Sequence, residues 1–177
     1  MKYEERDHEQ RISFLQTLRK IIKEKGADKI VYIDESGFME TCQRKHGWSQ
    51  IGNKIHGDHP GKRQKRTNLI AGKLGKKMLA PVLFEGSTNA SWLNKWLKDS
   101  LFKELPENAT VIMDNAAFHK TAETRKIFNE SIFDLLYLPP YSPDFNPIEQ
   151  DFAILKKLRM YAAPNTPLDE IIYSYGS

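Results

Sequence analysis

Apolar residues recur at three- and four-residue steps through residues 7–25, where Ile12, Leu15, Leu18 and Ile22 are separated by charged side chains. That spacing predicts an amphipathic helix, and Gly26 is a suitable stop. A helix packed on the edge of a domain has this pattern, and so does a linker or dimerisation helix. The period then changes to two. Lys29 to Glu35 reads as a buried strand with Ile30, Tyr32 and Asp34 on one face and Val31, Ile33 and Glu35 on the other. The strand is expected to close at Asp34, just before Ser36-Gly37. Two adjacent strand residues cannot face one site, and of this pair Asp34 is the candidate; a plain turn residue is the alternative.

Residues 38–65 lose the pattern. Trp48, Ile51 and Ile55 alternate with Gly47, Gly52 and Gly57, which suggests a hairpin or an irregular insertion. Thr67 to Leu74 and Lys77 to Phe84 are strand-like runs joined around Gly75, an antiparallel hairpin by their short separation. Asn89 to Phe102 has a broad apolar helical face that includes Trp92 and Trp96, and the tryptophans are expected in the core rather than as base-stacking platforms. Thr110 to Asp114 is a short apolar strand ending in an acid, Thr121 to Ser131 a helix, and Phe133 to Leu138 a last strand. That strand leads into a loop stiffened by Pro139, Pro140, Pro143 and Pro147. Asn146-Pro147 should start the next helix, with Ile148, Phe152 and Leu155 as its buried stripe. The order of elements predicts an α/β fold, a mixed sheet flanked by helices. Residues 1–27 form an N-terminal helix or linker and residues 28–177 the main unit.

Composition narrows the class. The chain has 177 residues, 40% hydrophobic and 28% charged, enough for one domain with a real core. No run approaches the ~18 apolar residues of a membrane helix, and the first residues make no signal peptide. Cys42 is the single cysteine, so neither an internal disulfide nor a cysteine zinc cluster can form. His46, His56 and His59 lack zinc spacing with it. A reducing, cytoplasmic setting is expected. The net charge of +4 allows an anionic partner without demanding one. Lys62, Arg63, Lys65 and Arg66 form a compact basic cluster, either a phosphate contact or a solvated loop.

Three acids stand out against this background. Asp34 and Asp114 close apolar strands, and Glu149 falls in the first turn of the helix after the proline loop. Glu149 also has capping-box spacing with Asn146, so a plain capping role competes with a chemical one. If the two strands are neighbours, their ends bring the aspartates together and the helix start can deliver the glutamate. Clustered carboxylates repel unless cations neutralise them, and oxygen-only ligands suit Mg²⁺ or Mn²⁺. Two such ions about 3.5–4 Å apart can serve both oxygens of a phosphodiester displacement. Lys156 lies seven residues beyond Glu149, about two turns along the same face, where it could reach a phosphate or simply be solvated.

Taken together, IDESGF at Ile33 to Phe38, MDNAAFH at Met113 to His119 and LPPYSPDFNPIE at Leu138 to Glu149 resemble the catalytic domain of mariner-type DDE transposases. The 34 residues between Asp114 and Glu149 resemble the spacing of the bacterial insertion-sequence branch. The resemblance implies an RNase H-like fold of the retroviral-integrase type, with Asp34, Asp114 and Glu149 as the catalytic and metal-holding triad. It implies DNA cleavage at element ends, dependent on Mg²⁺ or Mn²⁺ (two ions), and transfer of the freed 3′-hydroxyl into target DNA at TA sites. His119 matches a histidine of the family's second motif. It could orient a water or phosphate, or only pack the loop. Asn115 fits a role in the turn or in supporting the metal-holding acids from behind rather than as a ligand, and Lys62, Arg63, Lys65, Arg66 and Lys156 are candidate DNA contacts. Phe152 stands where family members usually have tryptophan. About 28 residues precede the first catalytic strand, too few for the helix-turn-helix domain of full-length relatives. The expectation is a prokaryotic, nucleoid-associated catalytic half that forms a homodimer on DNA, with recognition supplied elsewhere. An inactive remnant or accessory DNA-binding subunit, or an RNase H-like nuclease, would share the same residues.

Overall fold

The structure, a computed structural model, describes residues 7–39, 49–54, 65–163 and 166–176. Among these residues, five strands form one mixed sheet: β1 (Ile30–Met39), β2 (Arg66–Leu74), β3 (Lys77–Glu85), β4 (Thr110–Met113) and β5 (Asp134–Tyr137), in the order β3-β2-β1-β4-β5. The first three are antiparallel neighbours, and β4 and β5 join parallel to β1. Among the described residues, six α-helices flank the sheet: α1 (His8–Lys25), α2 (Ala90–Trp96), α3 (Phe102–Glu104), α4 (Ala122–Asn129), α5 (Ile148–Tyr161) and α6 (Leu168–Gly176). The mixed sheet flanked by helices is the architecture expected from the element order.

Period-two alternation sorts the core onto two faces. Val31 and Ile33 point toward α2 and the turn that follows it, joining Leu93, Trp96, Leu97 and Phe128. Ile30 and Tyr32 point the other way, toward Phe14 of α1, while Phe38 on that same side meets Ile148, Phe152 and Leu155 of α5. The tryptophans are core residues, as expected: Trp96 is 4% exposed and its indole N–H donates to Ala80 O at 3.0 Å, and Trp92 packs on Phe84. Phe152 is buried at 3% in the α5 stripe, so the aromatic at that position serves packing.

Several local expectations need correction. The buried stripe of α1 is Phe14, Leu15, Leu18 and Ile21, whereas Ile12 and Ile22 are 48% and 37% exposed. Phe14 and Ile21 continue the same three- and four-residue spacing one step round the helix, and the larger Phe14 sets which face is buried. Gly26 stops α1 as expected, with φ 97°, and at the other end Asp7, which the pattern did not single out, accepts from the Glu9 and Gln10 N–H groups. β1 does not close at Asp34 but runs on through Ser36-Gly37 to Met39, because β2 pairs with it from Val31 to Met39. Asn146 does not cap α5; its side-chain amide donates to Ile33 O at 3.4 Å. At 3% exposure it faces β1 rather than the open helix end, and the Glu149 N–H bonds the Asn146 carbonyl instead. The final helix α6 carries no signal that stood out in the pattern. It is held by Leu168, Ile171 and Ile172 against Leu69 and Ala71 of the sheet. Most of the insertion, with Cys42, His46, Trp48, His56, His59, Lys62 and Arg63, lies outside the described residues.

Candidate active site

Strand register brings the two aspartates together. β1 and β4 pair in parallel as Ile30 with Thr110, Val31 with Val111 and Tyr32 with Ile112. The same offset carried two residues further sets Asp34 level with Asp114, just past the end of the shared ladder. Asp34 thus stands where β1 loses its β4 neighbour, although β1 itself continues. Glu149 arrives from the first turn of α5, and the Asn146 amide fixes that turn to the residue before Asp34. All three carboxylates line one cleft of about 560 Å³, walled on its other side by the proline loop.

The proline loop is held from outside as well as by its own rings. Arg11 of α1 donates to Ser142 Oγ at 2.7 Å, forms an ion pair with Asp144, and stacks its guanidinium 4.0 Å from the Phe145 ring centre. Phe14 stacks on the same ring. At the cleft wall Tyr141 holds φ 52° with its side chain 55% exposed, a left-handed backbone that costs a non-glycine residue energy.

The electrostatics are those of an incompletely neutralised cluster. Burial raises the Asp34 carboxyl to about 7. The Glu35 N–H donates to it at 2.7 Å and pulls the other way, and the nearby charges of Glu149, Asp114 and Glu35 add to the rise. Glu149 is also raised, first by desolvation, with Lys156 opposing. Asp114 goes the other way. Its desolvation is outweighed by hydrogen bonds from His119 and the Ala116 N–H, which lower it. His119 is 4% exposed, and burial works against its charge. Its Nδ1 contact with Asp114 and the proximity of Glu35 to Nε2, at 3.9 Å, nonetheless lift it to about 9. His119 thus lies between Asp114, which its Nδ1 contacts, and Glu35, whose nearer oxygen stands 3.9 Å from Nε2.

The residues named from sequence sort clearly. Asp34, Asp114, Glu149 and Asn115 share the cleft, and His119 touches Asp114 from behind. Lys65 is engaged with Glu85 at 2.6 Å. Arg66 reaches a neighbouring cleft that also contains Asp34 and Asp114. The Lys156 ammonium lies 5.9 Å from the Phe38 ring centre, close enough to Glu149 to affect it. Sequence reasoning passed over Glu35, Arg11 and Tyr141. Only Glu35 left a usable signal, an acid in a strand that proves buried on both faces.

An oxygen-only donor set of this kind fits a hard divalent cation. Among the described residues no three acidic or imidazole side chains are already gathered as a single-ion chelate. What favours a cation is the charge imbalance at Asp34, together with the buried Asn115 Oδ1 and Asn146 Oδ1, which have no hydrogen-bond partner. Both amide oxygens belong to residues lining the same cleft and could accept from waters of a hydrated ion.

Residues 29–169 match the family described as DDE superfamily endonuclease. No curated protein sequence matches. Among solved structures, the chain is similar to Mos1 transposase in a paired-end complex with the left transposon end, with a TM-score of 0.80 and 19% identity over 99% of this chain and 57% of that one. It is also similar to the Mos1 strand transfer complex (TM-score 0.69, 19% identity, 100% of this chain and 64% of that one). A third match is the Mos1 transposase catalytic domain with raltegravir and Mn (TM-score 0.70, 18% identity, 99% and 84%). The chain thus spans well under two thirds of the Mos1 chain in the paired-end complex. At such identities the likeness is one of fold, and the five-stranded sheet with its helices is the RNase H-like arrangement. Among the described residues, no helix is long and apolar enough to cross a membrane.

Proposed function

Because the chain belongs to the DDE superfamily endonucleases, we propose that it is the catalytic core of a mariner-type transposase of the bacterial insertion-sequence branch. It cleaves DNA at element ends and joins the freed 3′-hydroxyl to target DNA at TA sites. The observation that carries this reading is the arrival of Asp34, Asp114 and Glu149 in one cleft from three elements far apart in sequence. The branch is suggested by the 34 residues between Asp114 and Glu149, and with it a prokaryotic, cytoplasmic setting.

Asp34, Asp114 and Glu149 would hold Mg²⁺ or Mn²⁺, two ions in the working site. Bound there, the metal would activate the attacking oxygen and stabilise the leaving one. The remaining roles belong to the chain itself. His119 keeps Asp114 ionised and fixes its carboxylate from the side away from the proline loop, because its Nδ1 engages Asp114 Oδ1. Asn146 anchors the start of α5, so Glu149 is presented by a helix that cannot drift from β1. The proline loop, braced by Arg11, walls the cleft without closing it. Lys156, Arg66, Lys65, Lys62 and Arg63 contribute positive charge for the DNA backbone. A homodimer holding two element ends, with helix-turn-helix recognition lying outside these 177 residues, completes the proposal. The partial span of the Mos1 chain supports the second of these, recognition carried outside these residues.

Nicking of supercoiled plasmid by the purified chain in Mn²⁺, beside Asp114→Asn, tests the reading. The wild type is expected to nick and the variant to be inert while still folded. Equal nicking by both would sink the assignment.

A further inference from the structure

The aspartate pair has a second side. Opposite the Glu149 cleft, a space of about 420 Å³ is lined by Asp34, Asp114, Glu35, Arg66, Asn68 and Thr88, among others. In the β1–β2 ladder Met39 pairs with Arg66 and Gly37 with Asn68. Directly opposed residues share a face, so Arg66 and Asn68 rise on the Glu35 side of the sheet. Gly37 makes the seat. A Cβ there would stand 1.8 Å from Arg66 Nε and 2.2 Å from Cζ, so the guanidinium lies where any other side chain would be.

The seat also holds the side chain in position. Arg66 Nε donates to Asn68 Oδ1 at 3.0 Å, and Asn68 Nδ2 donates to Gly86 O. Among the described residues Arg66 pairs with no carboxylate, although Asp34, Glu35 and Asp114 line the same space. Those three are otherwise engaged. Glu35 accepts from Thr88 and faces His119, Asp114 is bound to His119, and Asp34 takes the Glu35 N–H. Lys65, its neighbour in sequence, is paired with Glu85. An arginine fixed at its Nε and left with its planar fork uncommitted is suited to bidentate contact with a phosphate.

We propose that this second cleft is a phosphate subsite for the DNA strand. Arg66, seated on Gly37 and steadied by Asn68, grips the backbone phosphate next to the one lying over the aspartates. The strand then crosses the end of the β1–β4 ladder from the proline-loop cleft into this one. The inference rests on the transposase reading and specifies where its substrate runs.

The test is fluorescence anisotropy of the full chain with a labelled 30-base-pair duplex, without divalent metal, at several salt concentrations. Arg66→Ala should weaken binding roughly tenfold and lower the slope of log affinity against log salt by about one phosphate contact. Gly37→Ala keeps the charge but fills its seat, and should weaken binding similarly. Arg66→Lys should recover only part of the loss, because an ammonium lacks the fork. Circular dichroism melting checks that each variant is folded. Should Gly37→Ala fail to fold, the two Arg66 variants decide. Wild-type affinity and slope in Arg66→Ala, or full recovery by lysine, would overturn the subsite. Asp114→Asn separates the two claims. If it loses nicking while Arg66→Ala binds normally, the subsite is wrong and the transposase reading stands. If it nicks like the wild type, the transposase reading is wrong.

Discussion

Asp34 and Asp151 are both shielded acids on the same side of the sheet, and the fold treats them in opposite ways. Asp151, 8% exposed on α5, is closed in by Lys73 of β2 on one oxygen and by the Tyr175 hydroxyl of α6, at 2.5 Å, on the other. Burial and Asp151 together push that tyrosine up to about 12. The network joins three elements and leaves nothing for a ligand. Asp34 has a backbone N–H, three acidic neighbours and an ionisation raised to about 7. One carboxylate is used up in holding the fold, and the other is kept at a cost to it. A charge imbalance that the fold leaves uncorrected in a cleft marks a functional site better than burial does.

The sharpest way to break this contrast is to neutralise each acid. Asp34→Asn should lower Mn²⁺-dependent nicking by about a thousandfold or more, since a metal supplies several kcal/mol and each tenfold is 1.36 kcal/mol. Its urea midpoint should equal or exceed that of the wild type, because a strained carboxylate has been removed. Asp151→Ala should do the reverse. It leaves Lys73 without its partner in a mostly buried position and should cost about 3 kcal/mol in urea unfolding, with nicking per folded molecule retained.

A pH series sharpens the same comparison. The folded Asp34 titrates near 7 and an unfolded aspartate near about 4. Between those values the folded chain holds a proton the unfolded chain has lost, so stability falls as pH rises, with no effect below the lower value. His119 adds to the fall at higher pH. Its charged contacts stabilise fully below about 6.5 and are lost as pH climbs through about 9. Thermal melting from pH 4 to 9 should show both declines, and Asp34→Asn should remove the more acidic one. The smallest effect expected is for Arg11→Ala. Its partner Asp144 is 44% exposed, so screening limits the ion pair, and a loss of about 1 kcal/mol in urea unfolding is expected from the ion pair and the Ser142 hydrogen bond together.

Much of this was legible in the residues because period and punctuation carry it. Alternation around Ile30 to Asp34 fixed which acid shares a face with Ile30 and Tyr32. The prolines before Ile148 marked a rigid approach to Glu149, and the buried stripe of α5 was readable as Ile148, Phe152 and Leu155. What stayed hidden depends on partners distant in sequence. The continuation of β1 past Asp34 follows from β2 pairing, which no local pattern records. Asn146 looked like a cap because its spacing is that of one, yet burial turned its amide onto Ile33. Glu35 was set aside by strand parity, correctly for the Glu149 cleft. Its link to His119 needs the loop after β4 to fold back over the opposite face. Arg66 was read only as one member of a basic run, and what distinguishes it from Lys65 is its guanidinium seated over Gly37, a contact across the β1–β2 ladder that no local pattern records.

The most direct test of the central claim is a Mn²⁺ titration followed by the electron paramagnetic resonance of the free ion, on the wild type, Asp34→Asn and Asp151→Asn, each held below its melting temperature. The account predicts that wild type and Asp151→Asn take up Mn²⁺ alike and that Asp34→Asn does not. Equal uptake by Asp34→Asn and the wild type would mean that the cleft of Asp34, Asp114 and Glu149 is not a metal site.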